Sequence, residues 1–256
     1  MIELSLVLNY ALLAVGAFFL AIYFNKLSIV DLVWSIGLAL GSLVLISELD
    51  VVSLREGLIL VLVLAWSFRL SFYLFKNRVL KKHEDPRYNR LIQASSKYWQ
   101  IVFLVLFLFQ VVLVWLFLCP IHTALTVPTE DLRPVDIVAF LWGLIALLGE
   151  SISDNQLKVF CANSANKGRV CKIGFWRYSR HPNYFFEWVF WWAFVFFSIG
   201  SDAFAVSLLG PILMYLFLRY ISGVPFAELS SIERRGSEYL QYQKETSVFF
   251  PFKPKL

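Results

Sequence analysis

Seven stretches of about 20 mostly apolar residues recur along the chain, separated by polar, charged segments. They are Leu4–Phe24, Ile29–Ser47, Gly57–Phe75, Trp99–Cys119, Val135–Ser153, Asn183–Gly200 and Ala203–Arg219. Each is long enough to cross the hydrocarbon core of a bilayer as a helix. The pattern therefore predicts an all-α, polytopic membrane protein with seven transmembrane helices. The first stretch has no basic residues ahead of it, carries Glu3 there, and ends without a small-x-small cleavage pattern. It is read as a span and not as a signal peptide. The long polar segments are Lys76–Tyr98, Asp154–Pro182 and Tyr220–Leu256; the remaining connections are short.

Composition agrees with the pattern and narrows it. Of 256 residues, 59% are hydrophobic and 18% aromatic, and only 16% are charged, against about 25% in a soluble domain. One soluble core of this size could not hide that much apolar side chain. Disorder and fibrous repeats are excluded as well. Three cysteines (Cys119, Cys161, Cys171) form no CxxC pair, so neither a disulfide framework nor a metal site is signalled.

The charges then orient the spans. Of the 23 Lys and Arg residues, 20 fall in segments on one side, only Arg55 and Arg133 fall on the other, and Arg69 lies inside the third stretch. The positive-inside rule places the C-terminus in the cytoplasm and the N-terminus outside. The net charge of +5 is thus a topology signal. The basic residues form no continuous stripe, and no nucleic-acid partner is expected. No GxGxxG, Walker-type loop or HExxH occurs, so a nucleotide would bind without a Rossmann unit. The chain reads as one membrane domain, 1–256, with residues 1–135 forming a substrate chamber and 136–256 a cofactor-binding half.

Ionisable groups within spans are costly and mark function by default. Asp31, Arg69, Glu150 and Glu187 are of this kind. Asp31 shares a face with Trp34. Glu150, Asp154 and Lys158 are spaced four apart and line one face of a helix leaving the membrane. That face could hold an Asp154–Lys158 ion pair, or ribose hydroxyls and a phosphate. The sharpest segment is Gly174–Trp188. Pro182 suits the first turn of a helix, with Arg177, Tyr178, Arg180 and His181 just ahead of it. Asn183, Tyr184 and Glu187 follow at the entrance to the sixth span. Two guanidiniums, an imidazole and a helix N-terminus make an anion site. Asn183 and Glu187 add amide and carboxylate contacts for a polar ring or ribose.

The string Arg180-His181-Pro182-Asn183-Tyr184-x-x-Glu187-Trp188 resembles the signature of a membrane family related to steroid 5α-reductases, the bacterial domain-of-unknown-function 1295 type. Sterol C14-reductases and isoprenylcysteine carboxyl methyltransferases carry similar strings. The resemblance extends to Val30-Asp31-x-x-Trp34, Arg69, Asn77-Arg78, His83-Glu84-Asp85-Pro86-Arg87-Tyr88, Ser222-Gly223-Val224-Pro225, Arg234-Arg235, Tyr239-x-x-Tyr242 and Phe250-Pro251.

The resemblance implies a seven-span enzyme that binds NADPH from the cytoplasmic side. It implies cofactor contacts at Asn77, Asp154, Arg177, Tyr178, Asn183, Glu187 and Tyr242. Lys158, Arg180, His181, Tyr184 and Tyr239 lie beside these, and Arg234 and Arg235 are candidates for the phosphates. In the related reductases a carboxylic acid and a tyrosine polarise the substrate carbonyl. Here Asp31 is the candidate acid, the tyrosine position falls at Trp66, and Tyr73 on the same helix is the substitute, with Glu187 completing the catalytic set. The expected activity is reduction of a carbon–carbon double bond in a lipophilic enone drawn from the membrane. The alternatives are an S-adenosylmethionine-dependent methyltransferase using Glu228, Glu233 and Arg234, and a non-catalytic lipid binder. A bacterial inner membrane is the expected location, or the endoplasmic reticulum in a eukaryote. Oligomeric state is not signalled.

Overall fold

A computed structural model describes residues 4–81, 83–129 and 131–255. Glu3, Lys82 and Glu130, which entered the charge reading, lie outside the described residues. Among the described residues all regular structure is helical. In order these are α1 (Leu4–Tyr23), α2 (Ile29–Ser47), α3 (Leu54–Leu74), α4 (Pro86–Ser95), α5 (Trp99–Leu125), α6 (Pro134–Ala162), α7 (Pro182–Phe197), α8 (Phe204–Ser207), α9 (Leu209–Leu216), α10 (Val224–Arg235) and α11 (Ser237–Glu245). Five helical runs are long and apolar enough to cross a membrane: Ile29–Ser47, Leu54–Val79, Arg87–Leu125, Pro134–Ala162 and Phe204–Arg235. The chain has the build of a multi-pass integral membrane protein.

Each of the first six apolar stretches overlaps a long helix, but several ends differ from the sequence reading. Ser53 and Glu56 cap α3 reciprocally, so it starts three residues before Gly57. A π-helical turn, Phe75–Val79, prolongs it. Helix α5 runs on through Pro120 to Leu125. Near this proline the side chains of Cys119 and Thr123 donate to the carbonyls of Trp115 and Cys119. Helix α7 has 16 residues, about 24 Å, short of the roughly 30 Å hydrocarbon core. The last stretch is not one helix. It divides at Leu208, because Pro211 lacks an N–H and its ring crowds the carbonyl four residues back. A second π-helical turn, Phe217–Ile221, ends it. The Lys76–Tyr98 segment contains α4, started by Pro86 and capped by Asp85, whose carboxylate accepts from the Arg87 N–H at 2.9 Å.

The chain divides into two compact units. The first comprises Met1–Arg133 and Ser198–Leu209, the second Pro134–Phe197 and Gly210–Leu256. In the first, α2 packs on α1, α3 and α5 around Leu38, Ile59, Leu62, Trp66, Phe103, Phe107 and Phe117. The absent side chain at Gly37 leaves room for the Tyr10 ring, whose hydroxyl donates to the Val33 carbonyl. Close approach at small residues is how membrane helices gain packing when burial from water no longer drives them together. In the second, α6 and α7 form the most extensive helix pair, and α6 buries a stripe of Ala139, Gly143, Ala146 and Gly149. There Phe186 lies against Gly149. The tail forms a smaller cluster of Val170, Tyr239 and Tyr242.

Candidate cofactor and substrate sites

In the second unit the Gly174–Trp188 segment is built onto the end of α6. The Phe175 N–H donates to Gln156 Oε1 at 2.9 Å, and the Trp176 indole donates to the Ser153 carbonyl at 2.9 Å. Gly174 has φ +54° and sits against the Gln156 amide, a conformation and a clearance that no side chain would share. The segment's other side is held by the tail. Ser179 donates to the Phe249 carbonyl at 2.8 Å and accepts from the His181 N–H at 3.1 Å. The Tyr242 hydroxyl donates to the carbonyls of Trp176 and Ser179.

Arg180 and His181 do not form the outward anion site that their sequence suggests. Arg180 Nε donates to Glu228 Oε1 at 2.6 Å, and Nη1 to the carbonyls of Gln243 and Thr246 at 2.8 and 2.7 Å. His181 Nε2 lies 3.3 Å from the same Glu228 oxygen, and its ring stacks on Tyr184 at 5.4 Å. Gln243 donates to the other Glu228 oxygen at 2.8 Å. Burial alone would raise the Glu228 carboxyl. The hydrogen bonds from His181 and Arg180, with the Arg180 charge, outweigh it and hold the carboxyl down to about 2. Burial pushes the His181 imidazole below its usual range, against the pull of Glu228. A neutral His181 donating through Nε2 satisfies both groups.

The polar pair on the α6–α7 face has a different character. Asn183 Nδ2 donates to Asp154 Oδ1 at 3.1 Å. An ionised carboxylate can only accept, so this bond fixes which end of the amide is nitrogen. Asn183 Oδ1 is then a buried acceptor with no partner among the described residues. Leaving such a group unmet costs about 1–3 kcal/mol. One turn further, buried Glu187 accepts from the Trp191 indole at 3.2 Å, and Glu150 is buried on α6.

Lys158, Arg177 and Tyr178 are exposed. Arg177 borders a cavity of about 260 Å³ with Lys172, Glu245, Thr246 and Pro254. Lys172 ion-pairs with Glu245 at 2.8 Å; its composition gave no reason to single it out. Arg235 Nε donates to the Arg169 carbonyl at 2.8 Å and Arg234 Nε to the Ser230 carbonyl at 3.0 Å. Tyr239 is buried with Tyr242.

The first unit holds its own polar centre at the start of α2. Asp31 pairs with Arg78 and, at 3.2 Å, with Arg87, and accepts from the Tyr88 hydroxyl at 2.7 Å. Arg87 also pairs with Asp85 at 3.0 Å. Asp31 is therefore an acceptor for three donors, two of them cations. Tyr88, which the sequence reading did not single out, is the hydroxyl at this centre. Its only signal was membership of the His83–Tyr88 string.

Tyr73 is half-buried near the end of α3, and Asn77 Nδ2 turns back to the Tyr73 carbonyl at 2.9 Å. Trp66 is buried, edge-on to Trp34. A cavity of about 180 Å³ lies among α1, α2 and α5, lined by Tyr10, Gly37, Gly41, Val114 and Leu118 among others. It is below the roughly 300 Å³ at which small-molecule sites begin. The described residues contain no cluster of His, Cys, Asp and Glu able to hold a metal ion.

A family model described as Protein of unknown function (DUF1295) matches residues 17–246. No curated protein and no solved structure matches the chain.

Proposed function

The chain belongs to the DUF1295 family, and from that premise we propose that it is a membrane-embedded, NADPH-dependent reductase. Its substrate is a lipophilic enone, whose carbon–carbon double bond is reduced. The seven apolar stretches are read as seven spans, with the N-terminus outside and the C-terminus in the cytoplasm. The 20-to-2 division of Lys and Arg supports that orientation.

The observation that carries the reading is the buried, unpartnered Oδ1 of Asn183, held in place by Asp154. It calls for a ligand that donates from an N–H, and the nicotinamide carboxamide is such a group. When bound, the cofactor supplies a hydride. The chain's own residues do the rest. Asp154 and Asn183 orient the carboxamide, and Glu187, fixed by Trp191, gives the pocket its carboxylate edge. The exposed cations Lys158 and Arg177 face the anionic end of the cofactor. Arg180, His181 and Tyr242 brace the segment through their bonds to Glu228, Gln243, Thr246, Trp176 and Ser179. The apolar spans exclude water, which strengthens every polar contact made there.

Of the three residues that could serve the methyltransferase alternative, Glu233, Arg234 and Glu228, the last is engaged by Arg180, His181 and Gln243. The two readings separate by thermal shift of the detergent-purified protein with NADPH, NADH or S-adenosylmethionine. A ligand at 100 times its Kd stabilises the folded state by about 2.7 kcal/mol. A clear rise in Tm with NADPH and none with the methyl donor is expected. The reverse pattern sinks the reductase reading, and no shift with either leaves a lipid-binding protein.

A further inference from the structure

Reduction of an enone needs a hydrogen-bond donor for the carbonyl oxygen, on which negative charge develops. The first unit has few groups left for the task. Asp31 is engaged by Arg78, Arg87 and Tyr88. Tyr88 spends its proton on Asp31, and Ser67 and Ser71 are hydrogen-bonded to Ser35. Buried donors of this unit without an acceptor among the described residues include the Ser28 hydroxyl and the Trp34 indole Nε1, and the indole is the one clamped between aromatic rings.

Its position is fixed. The ring meets Trp66 edge-on, with centroids 5.1 Å apart and planes at 89°, and meets Phe117 at 5.5 Å and 78°. Trp66 and Phe117 are themselves almost fully buried. Trp34 is three residues after Asp31 on α2, about 4.5 Å deeper along the helix. A donor at that depth has no bulk water to pair with, and indole N–H groups find a partner when buried.

We propose that the Trp34 N–H is the hydrogen-bond donor to the carbonyl oxygen of a lipophilic ketone or enone bound in the first unit. The proposal rests on the enone reading given above. The indole keeps its proton throughout. It contributes a fixed dipole aimed at the oxygen, in a setting where such a dipole is worth more than in water. The clamp of Trp66 and Phe117 supplies the preorganisation. It also gives the tryptophan at position 66 a reason: it has no O–H to offer, but its edge holds the neighbouring indole in place.

The test compares two ligands that differ only in the oxygen, cholest-4-en-3-one and cholest-4-ene. Both are titrated into the detergent-purified full chain and into Trp34→Phe, which keeps a ring and removes the N–H. The wild type should prefer the ketone about tenfold, equivalent to about 1.4 kcal/mol. Trp34→Phe should lose that preference while binding the hydrocarbon as before. Retention of the preference in Trp34→Phe overturns the proposal, and so does equal binding of the two ligands by the wild type. If Trp34→Phe does not fold, the wild type with nitrogen-15 in its nine indoles gives the answer. Cholest-4-en-3-one should move one indole N–H resonance downfield, and a spectrum unchanged by the ketone overturns the proposal. NADPH thermal shifts on the same samples keep the two hypotheses apart. Loss of ketone preference without any NADPH response leaves a carbonyl-lipid site at Trp34 and removes the reductase reading.

Discussion

Each unit holds one carboxylate between cations, and the two centres are built differently. In the first, Asp31 is gripped by Arg78, Arg87 and Tyr88, with Asp85 sharing the arginines. In the second, Glu228 is gripped by Arg180, His181 and Gln243. The first centre contains two arginines and two carboxylates, so its charges balance and its cations never titrate. The second includes a buried imidazole, and it holds Arg180 deeper, with a side chain only 10% exposed against 27% for Arg78. The same pairing of acid and guanidinium thus gives a rigid brace in one unit and an acid-sensitive one in the other.

The largest expected effect comes from removing the deeper carboxylate. Glu228→Ala strands Arg180 and His181 in a buried setting and should cost about 3 kcal/mol, read as a fall in Tm of the detergent-solubilised protein. Asp31→Asn keeps an acceptor for Tyr88 and leaves two half-exposed arginines with Asp85. A loss of about 1 kcal/mol is expected. If Asp31→Asn proves the more damaging, the contrast drawn between the two centres is inverted.

The pH dependence sharpens the comparison further. The fold holds the His181 imidazole below its ordinary value of about 6.5. The resulting stability is complete above about 6.5 and is lost as pH falls from there toward the depressed value. Glu228, held to about 2, adds stability that is lost only between about 4.3 and about 2. Asp85 is also held low: burial would raise it, but Arg87 and Arg78 prevail. It therefore changes nothing at mild acidity. Between pH 7 and pH 5, hydrogen exchange, corrected for its intrinsic pH dependence, should rise for residues 243–249 and stay flat for residues 84–88. His181→Gln should abolish that rise, and an unchanged slope in this variant would remove His181 as its source.

The smaller effects concern the ligand. Asn183→Ala should weaken NADPH binding about tenfold by titration calorimetry, in line with about 1.4 kcal/mol for one lost bond. Arg177→Ala should weaken NADPH severalfold and NADH less, because only one of them carries the 2′-phosphate.

Much of the fold was legible because a membrane helix announces itself locally. Twenty apolar residues in a row need no distant partner to be read, and the first six stretches each overlap a long helix. The errors sit where a single residue overrides the run, as at Pro211, or where a helix continues past a proline, as at Pro120. The polar centres were legible only in part. Arg180 and His181 stood out, but their partner Glu228 is 48 and 47 residues away, on a helix whose sequence does not advertise it. Asp31 was marked by its cost in a span, yet its fate depends on Arg87 and Tyr88, 56 and 57 residues on. A single sequence shows which groups are expensive and does not show who satisfies them. Asn183 was the reverse case. The sequence put it at the entrance to the sixth span, and the structure adds that one end of its amide is left unmet.

The strap across the Arg180 segment has a consequence in time. The groups that close it lie 63, 66 and 70 residues further along the chain, at Gln243, Thr246 and Phe249. Synthesis at roughly 5–20 residues per second puts about 4–14 s between the emergence of Ser179 and that of Phe249. During that interval α6 and α7 can already pair in the bilayer while the arginine and Ser179 wait, uncovered, for the tail. The window in which a translating chain is open to quality control, or to premature capture of an anionic ligand, is thus set by the length of chain between a motif and the strap that closes it.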